Sequence, residues 1–152
     1  MANTYQELSM IPALLRAYRA TAYYVFLPVG GIVLRCGRRT PRLDGWLKAE
    51  RLTRWCVLTA WNPASRRLGA AENRRRQEAL RQRLRARGYR LFRGENHAGT
   101  QDWPVEETLF VPGLARAAAR VLMRGYGQNA FLWGARGKPA RLCWLSGFKS
   151  RR

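Results

Sequence analysis

The chain has 152 residues, 47% of them hydrophobic and 11% aromatic, more apolar surface than a disordered segment carries, so a sizeable core in one domain is expected. Twenty-nine Lys and Arg against nine Asp and Glu leave a formal charge of +20, and a field of that size attracts polyanions. No apolar run approaches the roughly 18 residues that cross a bilayer, and the N-terminus lacks the features of a secretory leader, so a cytoplasmic protein is expected.

In chain order, residues 5–18 form a short helix or helical turn interrupted by Pro12. Residues 21–27 and 32–36 are β-branched and aromatic and flank the turn Pro28-Val29-Gly30-Gly31, the pattern of a hairpin. A basic loop at 37–41 leads to a short helix over 43–51, with Asp44 near its N-terminus, where a carboxylate suits the helix dipole. The apolar run 54–61 predicts a central strand buried on both faces, ended by Asn62-Pro63. Ser65 is placed to cap a long helix over 70–87 that stops at Gly88.

Residues 89–94 read as a strand, 94–102 as a polar loop carrying the single histidine, His97, and 105–111 as a strand. A second amphipathic helix covers 114–124, and strands over 129–133 and 140–145 form a final hairpin. The order from Arg54 to Trp133 is β-α-β-β-α-β. The expected class is therefore α+β, with a ferredoxin-like split βαβ core over 54–133. An N-terminal extension (1–53) with its hairpin, an extra C-terminal strand and a basic tail (147–152) complete one domain over 1–152.

The long helix is the densest in charge. Its apolar stripe is thin, Leu80 and Leu84 extended by Ala79, and helical spacing puts Gln77 and Asn73 on the same buried side. Asn73 either points into a site at the strand–helix junction or satisfies backbone groups near Asn62. Arg74, Arg75, Arg81 and Arg85 lie on its other faces, and Arg116 and Arg120 follow on the second helix. Side by side, the two helices would merge these into one phosphate-neutralising surface. Arginine in place of lysine also follows from G/C-rich codon usage; the scarcity of acids follows less well.

A second binding surface is the open sheet face, where Trp55, Trp61 and Phe110 would stack bases as in RNA-recognition motifs. The residues 105–111 lack the basic-aromatic signature of that module. Glu106 and Glu107 are adjacent, so in a strand they face opposite ways and are no catalytic pair by themselves. One of them, with Asn73 and Gln128, makes a small polar pocket in which a perturbed carboxylate could do acid–base work. His97, near Glu95 and Asp102, reads as an exposed loop residue or as an acid–base group. Cys36, Cys56 and Cys143 are odd in number and far apart, so they read as core residues; neither a zinc site nor a disulfide scaffold is expected. No nucleotide-binding glycine loop, serine-hydrolase elbow or zinc-protease motif is present in the sequence.

The segments LTAWNPASRRL (58–68), AENRRRQEALRQRLRARG (71–88), DWPVEETLFV (102–111) and YGQNAFLW (126–133) resemble the domain-of-unknown-function family 3293, as do LRAYRATAYYV (15–25) and LDGWL (43–47). The family's motif residues fall on Thr59, Trp61, Asn62, Pro63, Glu72, Asn73, Trp103, Glu106, Glu107, Gln128 and Asn129. Val105 separates Trp103-Pro104 from the acids, and Thr108 stands where the family has Ser. The resemblance implies a bacterial origin and brings no established activity, substrate or cofactor. It places Asn62 and Asn73 at one end of the core and Gln128 and Asn129 at the opposite end, as two clusters.

Two function classes follow. The first is a binding protein that docks RNA or the ribosome, rather than DNA, through Arg74, Arg75, Arg81, Arg85, Arg116 and Arg120, with no cofactor, no metal and no membrane role. The alternative is a nucleotide-acting enzyme or small-ligand binder with a pocket of Asn62, Asn73, Glu106, Glu107 and Gln128. A third class is a module of a larger protein assembly, with Trp133, Trp144 and Phe148 as an exposed apolar patch.

Overall fold

Alternating apolar residues in seven short segments pair into one antiparallel sheet, in a computed structural model that describes residues 4–145. The strands are β1 (Ala22–Leu27), β2 (Gly30–Leu34), β3 (Arg54–Leu58), β4 (Phe92–His97), β5 (Glu106–Pro112), β6 (Ala130–Ala135) and β7 (Arg141–Trp144). Among the described residues there are four α-helices: α1 (Thr4–Ala20), α2 (Pro41–Ala49), α3 (Ala70–Ala86) and α4 (Arg116–Gly125). The strand order is β2-β1-β4-β5-β3-β6-β7, and the sheet curls into a half-barrel. The N-terminal hairpin and the last strand therefore extend the sheet rather than cover it.

The side-chain period of two sorts β3 between two cores. Cys56 and Leu58 face the convex side and pack with Leu80 and Leu84 of α3 and Leu122 and Met123 of α4. Trp55 and Val57 face the concave side, with Val25, Ile32, Phe110 and the α2 residues Leu43, Trp46 and Leu47. The central strand is thus buried on both faces, as its continuous apolar run requires.

Helix α2 plugs one end of the half-barrel. Arg42 donates to the carbonyls of Val29 and Gly31 in the hairpin turn, at 3.0 and 3.2 Å. Asp44 Oδ1 accepts from the Gly137 N–H at 2.8 Å, so this first-turn carboxylate ties α2 to the β6–β7 turn. A clasp joins the two margins of the sheet: Gly37 N donates to Ala140 O at 2.7 Å and Ala140 N to Arg38 O at 3.0 Å. No described helix is long and apolar enough to cross a membrane.

Four local expectations are corrected. Helix α1 runs on through Pro12 rather than breaking there. The strand expected at 89–94 lies at Phe92–His97, because its register is set by partners on both sides: Ala22 pairs with His97 on β1, and Phe92 with Phe110 on β5. His97 is therefore a strand residue, not a loop residue. Gly94 sits where β1 and β5 approach so closely that a Cβ would lie 2.5 Å from Tyr24 O and 2.7 Å from Thr108 Oγ1. Ser65 does not cap α3; the cap position is Gly69, and Ser65 belongs to a 3-10 turn, Pro63–Ser65.

The stripe of α3 is as its spacing predicts, with Asn73, Gln77, Leu80 and Leu84 buried, while Ala79 is exposed. Leu84 is fully enclosed and Val121 is 71% exposed. Leu84→Ala should lose about 2–5 kcal/mol in urea denaturation, whereas Val121→Ala should stay within about 0.5 kcal/mol.

A polar cavity at the open end of the sheet

The strand that ends at Leu58 continues into Thr59-Ala60-Trp61-Asn62, and its antiparallel partner β6 begins just after Gln128. An antiparallel neighbour starts where the first strand ends, so Asn62 and Gln128 share one end of the sheet. Gln128 Nε2 donates to Trp61 O at 2.9 Å. This corrects the expectation of two clusters at opposite ends.

Asn62 holds the site together. It is left-handed (φ 45°, ψ 62°), a conformation Asn tolerates better than most residues. Its N–H donates to Asn73 Oδ1 at 2.9 Å. Its Oδ1 accepts from Asn73 Nδ2 and from Leu68 N, both at 2.9 Å. Its Nδ2 donates to Glu106 Oε1 at 2.8 Å. Asn73, 1% exposed, also donates to Leu68 O, so its amide serves the backbone and Asn62 and does not reach the cavity. One turn on, Gln77 Oε1 accepts from Ala60 N at 2.8 Å. Arg76 clamps the same loop by donating to Ala60 O at 2.8 Å and to Tyr126 O.

The loop is strained. Ala64 and Ser65 are left-handed as well, at φ 53° and 56°. Such residues cost roughly 1–3 kcal/mol each and cluster where the surroundings over-determine them. Here Ala64 N donates to Gly127 O at 2.8 Å, and Asn129 Nδ2 to Ser65 Oγ at 3.0 Å.

These contacts frame a cavity of about 240 Å³ lined by Asn62, Ser65, Asn96, Trp103, Glu106 and Gln128, and closed by Leu14, Ala17 and Tyr18 of α1 with Thr21 and Tyr23. Tyr23, Asn96 and Glu106 are cross-strand neighbours on β1, β4 and β5. Glu106 Oε1 receives two donors, Asn62 Nδ2 and Trp103 Nε1 at 2.9 Å. Among the described residues, Oε2 has no hydrogen-bond partner. Burial pushes the Glu106 carboxyl above the ordinary glutamate value, opposed by the Asn62 and Trp103 donors. Burial likewise raises the Tyr18 phenol, with Ser65 and Asn129 opposing, and raises Tyr23 further.

Glu107 faces the other way, as adjacent strand residues must. Its Oε1 accepts from Arg81 Nη2 at 2.9 Å, and Arg81 also holds Glu78 at 2.6 Å. Two carboxylates thus occupy Arg81, while Arg74, Arg75 and Arg85 are exposed and make no ion pair with a described residue. Arg116 lies over the Trp133 ring at 4.5 Å, and Arg120 is half-buried. Trp55 and Phe110 are buried in the core under α2, so the sheet face is not open for base stacking. Trp144 is covered edge-on by Tyr18, and Phe148 lies outside the described residues. His97 Nε2 sits 3.0 Å from Glu95 Oε2 and its ring tilts over Tyr24, away from the cavity lining. Cys56 and Cys143 are buried, Cys36 half-buried, and no metal-binding group of His, Cys, Asp or Glu occurs among the described residues.

Of the pocket residues expected from sequence, Asn62, Glu106 and Gln128 line the cavity, Asn73 stands behind Asn62, and Glu107 is outside it. Sequence reasoning missed Tyr18, Tyr23, Ser65 and Asn96 as wall residues. Their only signal is strand register and the return of α1, which no local pattern carries.

The fold and this cavity define a small α+β domain with a carboxylate-bearing cleft at the open end of a curled antiparallel sheet. Residues 58–131 match the family model DUF3293, described as a protein of unknown function, so the chain carries a domain of that family over those residues. The match contains Asn62, Asn73, Trp103, Glu106 and Gln128, while the α1 and β1 walls precede it. No curated protein and no solved structure matches the chain.

Removing the Asn73 amide leaves Asn62 N without its acceptor in a buried place and takes one of the two donors from Asn62 Oδ1. Asn73→Ala should therefore lose about 2–4 kcal/mol in urea denaturation, more than an average single substitution. The raised carboxyl of Glu106 gives a second test. Its folded state holds the proton more tightly, so its contribution is present below the unfolded glutamate value and is lost as pH rises through the raised folded value. Glu106→Gln keeps an acceptor for Asn62 and Trp103 but does not titrate. Its stability relative to the parent should be higher at about pH 8 than at about pH 4 in denaturation series.

Proposed function

We propose that this domain binds a small ligand in the cavity at the open end of its sheet, with Glu106 as the group that engages it. One observation carries the reading: the Glu106 carboxylate is fixed by two donors on one oxygen and has the other free at the cavity wall. Fixing a side chain by hydrogen bonds before a ligand arrives is how binding sites limit the ordering cost of association. The rest of the lining mixes Leu, Ala, Tyr and Trp side chains with Asn, Gln, Ser and Thr, apolar surface beside placed polar groups as in a ligand site. The residues that carry the family resemblance gather around it, and the arginines of the helices are not among them. In the same reading, the core is a ferredoxin-like split βαβ unit: the strand order β4-β5-β3-β6 with α3 and α4 on one face supports it.

A second reading is favoured by Arg74, Arg75 and Arg85, which are exposed on the convex side without carboxylate partners among the described residues. With Arg116 and Arg120 on α4 they would dock RNA or the ribosome, Arg81 bracing the face from within. Guanidinium groups engage phosphates bidentately.

The two readings separate cleanly. In a protein-observed NMR screen of small aromatic and heterocyclic fragments, hits should shift the Trp103 indole N–H and lose affinity in Glu106→Gln. Hits that leave that resonance unmoved would overturn the cavity reading. For the convex face, Arg74→Ala, Arg75→Ala and Arg85→Ala together should reduce the salt slope of binding to a single-stranded RNA oligomer by about 2; an unchanged slope rejects it.

A further inference from the structure

The chemistry of the cavity wall specifies more than a size. Asn62 Nδ2 and Trp103 Nε1 both donate to Glu106 Oε1, and Gln128 Nε2 donates to Trp61 O. Backbone partners fix the two amide orientations: Asn62 Oδ1 accepts from Leu68 N, so its Nδ2 must face Glu106, and Gln128 Nε2 faces Trp61 O. Toward a ligand the wall presents acceptors that have no hydrogen-bond partner among the described residues: Glu106 Oε2, Gln128 Oε1 and the buried Asn96 Oδ1. No Lys or Arg is among the lining residues, so the cavity offers no counter-charge to a phosphate or carboxylate. A cationic ligand would meet the repulsion of a chain that carries +20. Tyr18 and Tyr23 supply flat apolar surface beside Leu14 and Ala17, and about 240 Å³ is the scale of a fused two-ring heterocycle rather than of a chain segment.

We propose that the cavity receives a neutral planar heterocycle that presents adjacent N–H donors along one edge, of the guanine type, to Glu106 Oε2 and Gln128 Oε1. This rests on the reading of the cavity as a ligand site. A carboxylate oxygen and an amide oxygen are both acceptors, so together they suit two N–H donors on one edge, the one to the charged oxygen being the stronger. Burial that raises the Glu106 carboxyl makes the interaction depend on pH: the acceptor form grows as pH rises, and affinity rises with it.

The experiment is calorimetric titration of the full chain with guanosine, 1-methylguanosine and uridine, beside the fragment hits defined by the Trp103 resonance. Guanosine should bind and shift that resonance. 1-Methylguanosine, which lacks one donor of the pair, should bind about tenfold more weakly or worse, and so should guanosine to Glu106→Gln. Circular dichroism identifies any variant that fails to fold; Gln128→Leu, which removes the second acceptor together with the Gln128 Nε2 bond to Trp61 O, then repeats the test. If fragments occupy the cavity but guanosine does not, or 1-methylguanosine binds as well as guanosine, the ligand class is overturned and the cavity reading stands. If guanosine binds equally to the parent and to both variants, its site lies elsewhere and the proposal falls. If neither guanosine nor any fragment perturbs Trp103, the cavity reading falls with it.

Discussion

Asn62 is the residue on which the open end of the sheet depends. Its left-handed backbone turns the chain out of β3, and its side chain bonds in three directions at once: to Asn73, to the Leu68 N–H and to Glu106. A glycine would allow the turn, but it would take the side-chain acceptor from Asn73 Nδ2 and Leu68 N–H and one of two donors from Glu106. A longer amide could not bridge the same distances. The strain at Asn62, Ala64 and Ser65 is held by two backbone bonds, Asn62 N–H to Asn73 Oδ1 on α3 and Ala64 N–H to Gly127 O. A buried polar network of this kind is worth having only when nearly every member is satisfied. Here Asn62 and Asn73 bond to each other and to the chain around them, and Glu106 Oε2 keeps acceptor capacity at the cavity.

The two faces of the sheet divide the chemistry. The concave side has a dry core at the α2 end and the carboxylate cleft at the other. The convex side carries α3 and α4 and with them Arg74, Arg75 and Arg85, exposed and without carboxylate partners among the described residues. Glu106 and Glu107 mark the border: one residue apart on β5, the first serves the cavity and the second anchors Arg81. The charge and the cleft are thus physically separate, and neither needs the other in order to act.

Much of this was legible in the sequence where a single element decides the outcome. Helical spacing alone puts Asn73 and Gln77 on the buried stripe of α3, and strand alternation alone sends Glu106 and Glu107 to opposite faces. The continuous apolar run at 54–61 announces a strand covered on both sides. What was not legible depends on pairing between distant segments. The position of β4 is set by β1 and β5, not by residues 89–94 themselves, and this moved His97 from a loop into the sheet. The cavity walls from Tyr18 and Tyr23 come from a segment about 40 residues before the nearest polar wall residue, Asn62, and no periodicity points across that distance. The Arg81 pairing with Glu107 is likewise a three-dimensional fact: charge counting saw a free arginine where the fold supplies a carboxylate.

The clasp at Gly37 and Ala140 draws the sheet margins together without closing them, and α1 lies along the remaining seam. Leu15 and Arg19 border Cys36, Gly37 and Trp144 there, while Leu14, Ala17 and Tyr18 close the cavity. A barrel made only of strands would have to break rungs of its ladder to admit anything. Here one stave is a helix, and among the described residues no backbone hydrogen bond ties it to a strand. It is seated by side chains alone, so the vessel can be opened along that stave while every rung stays intact.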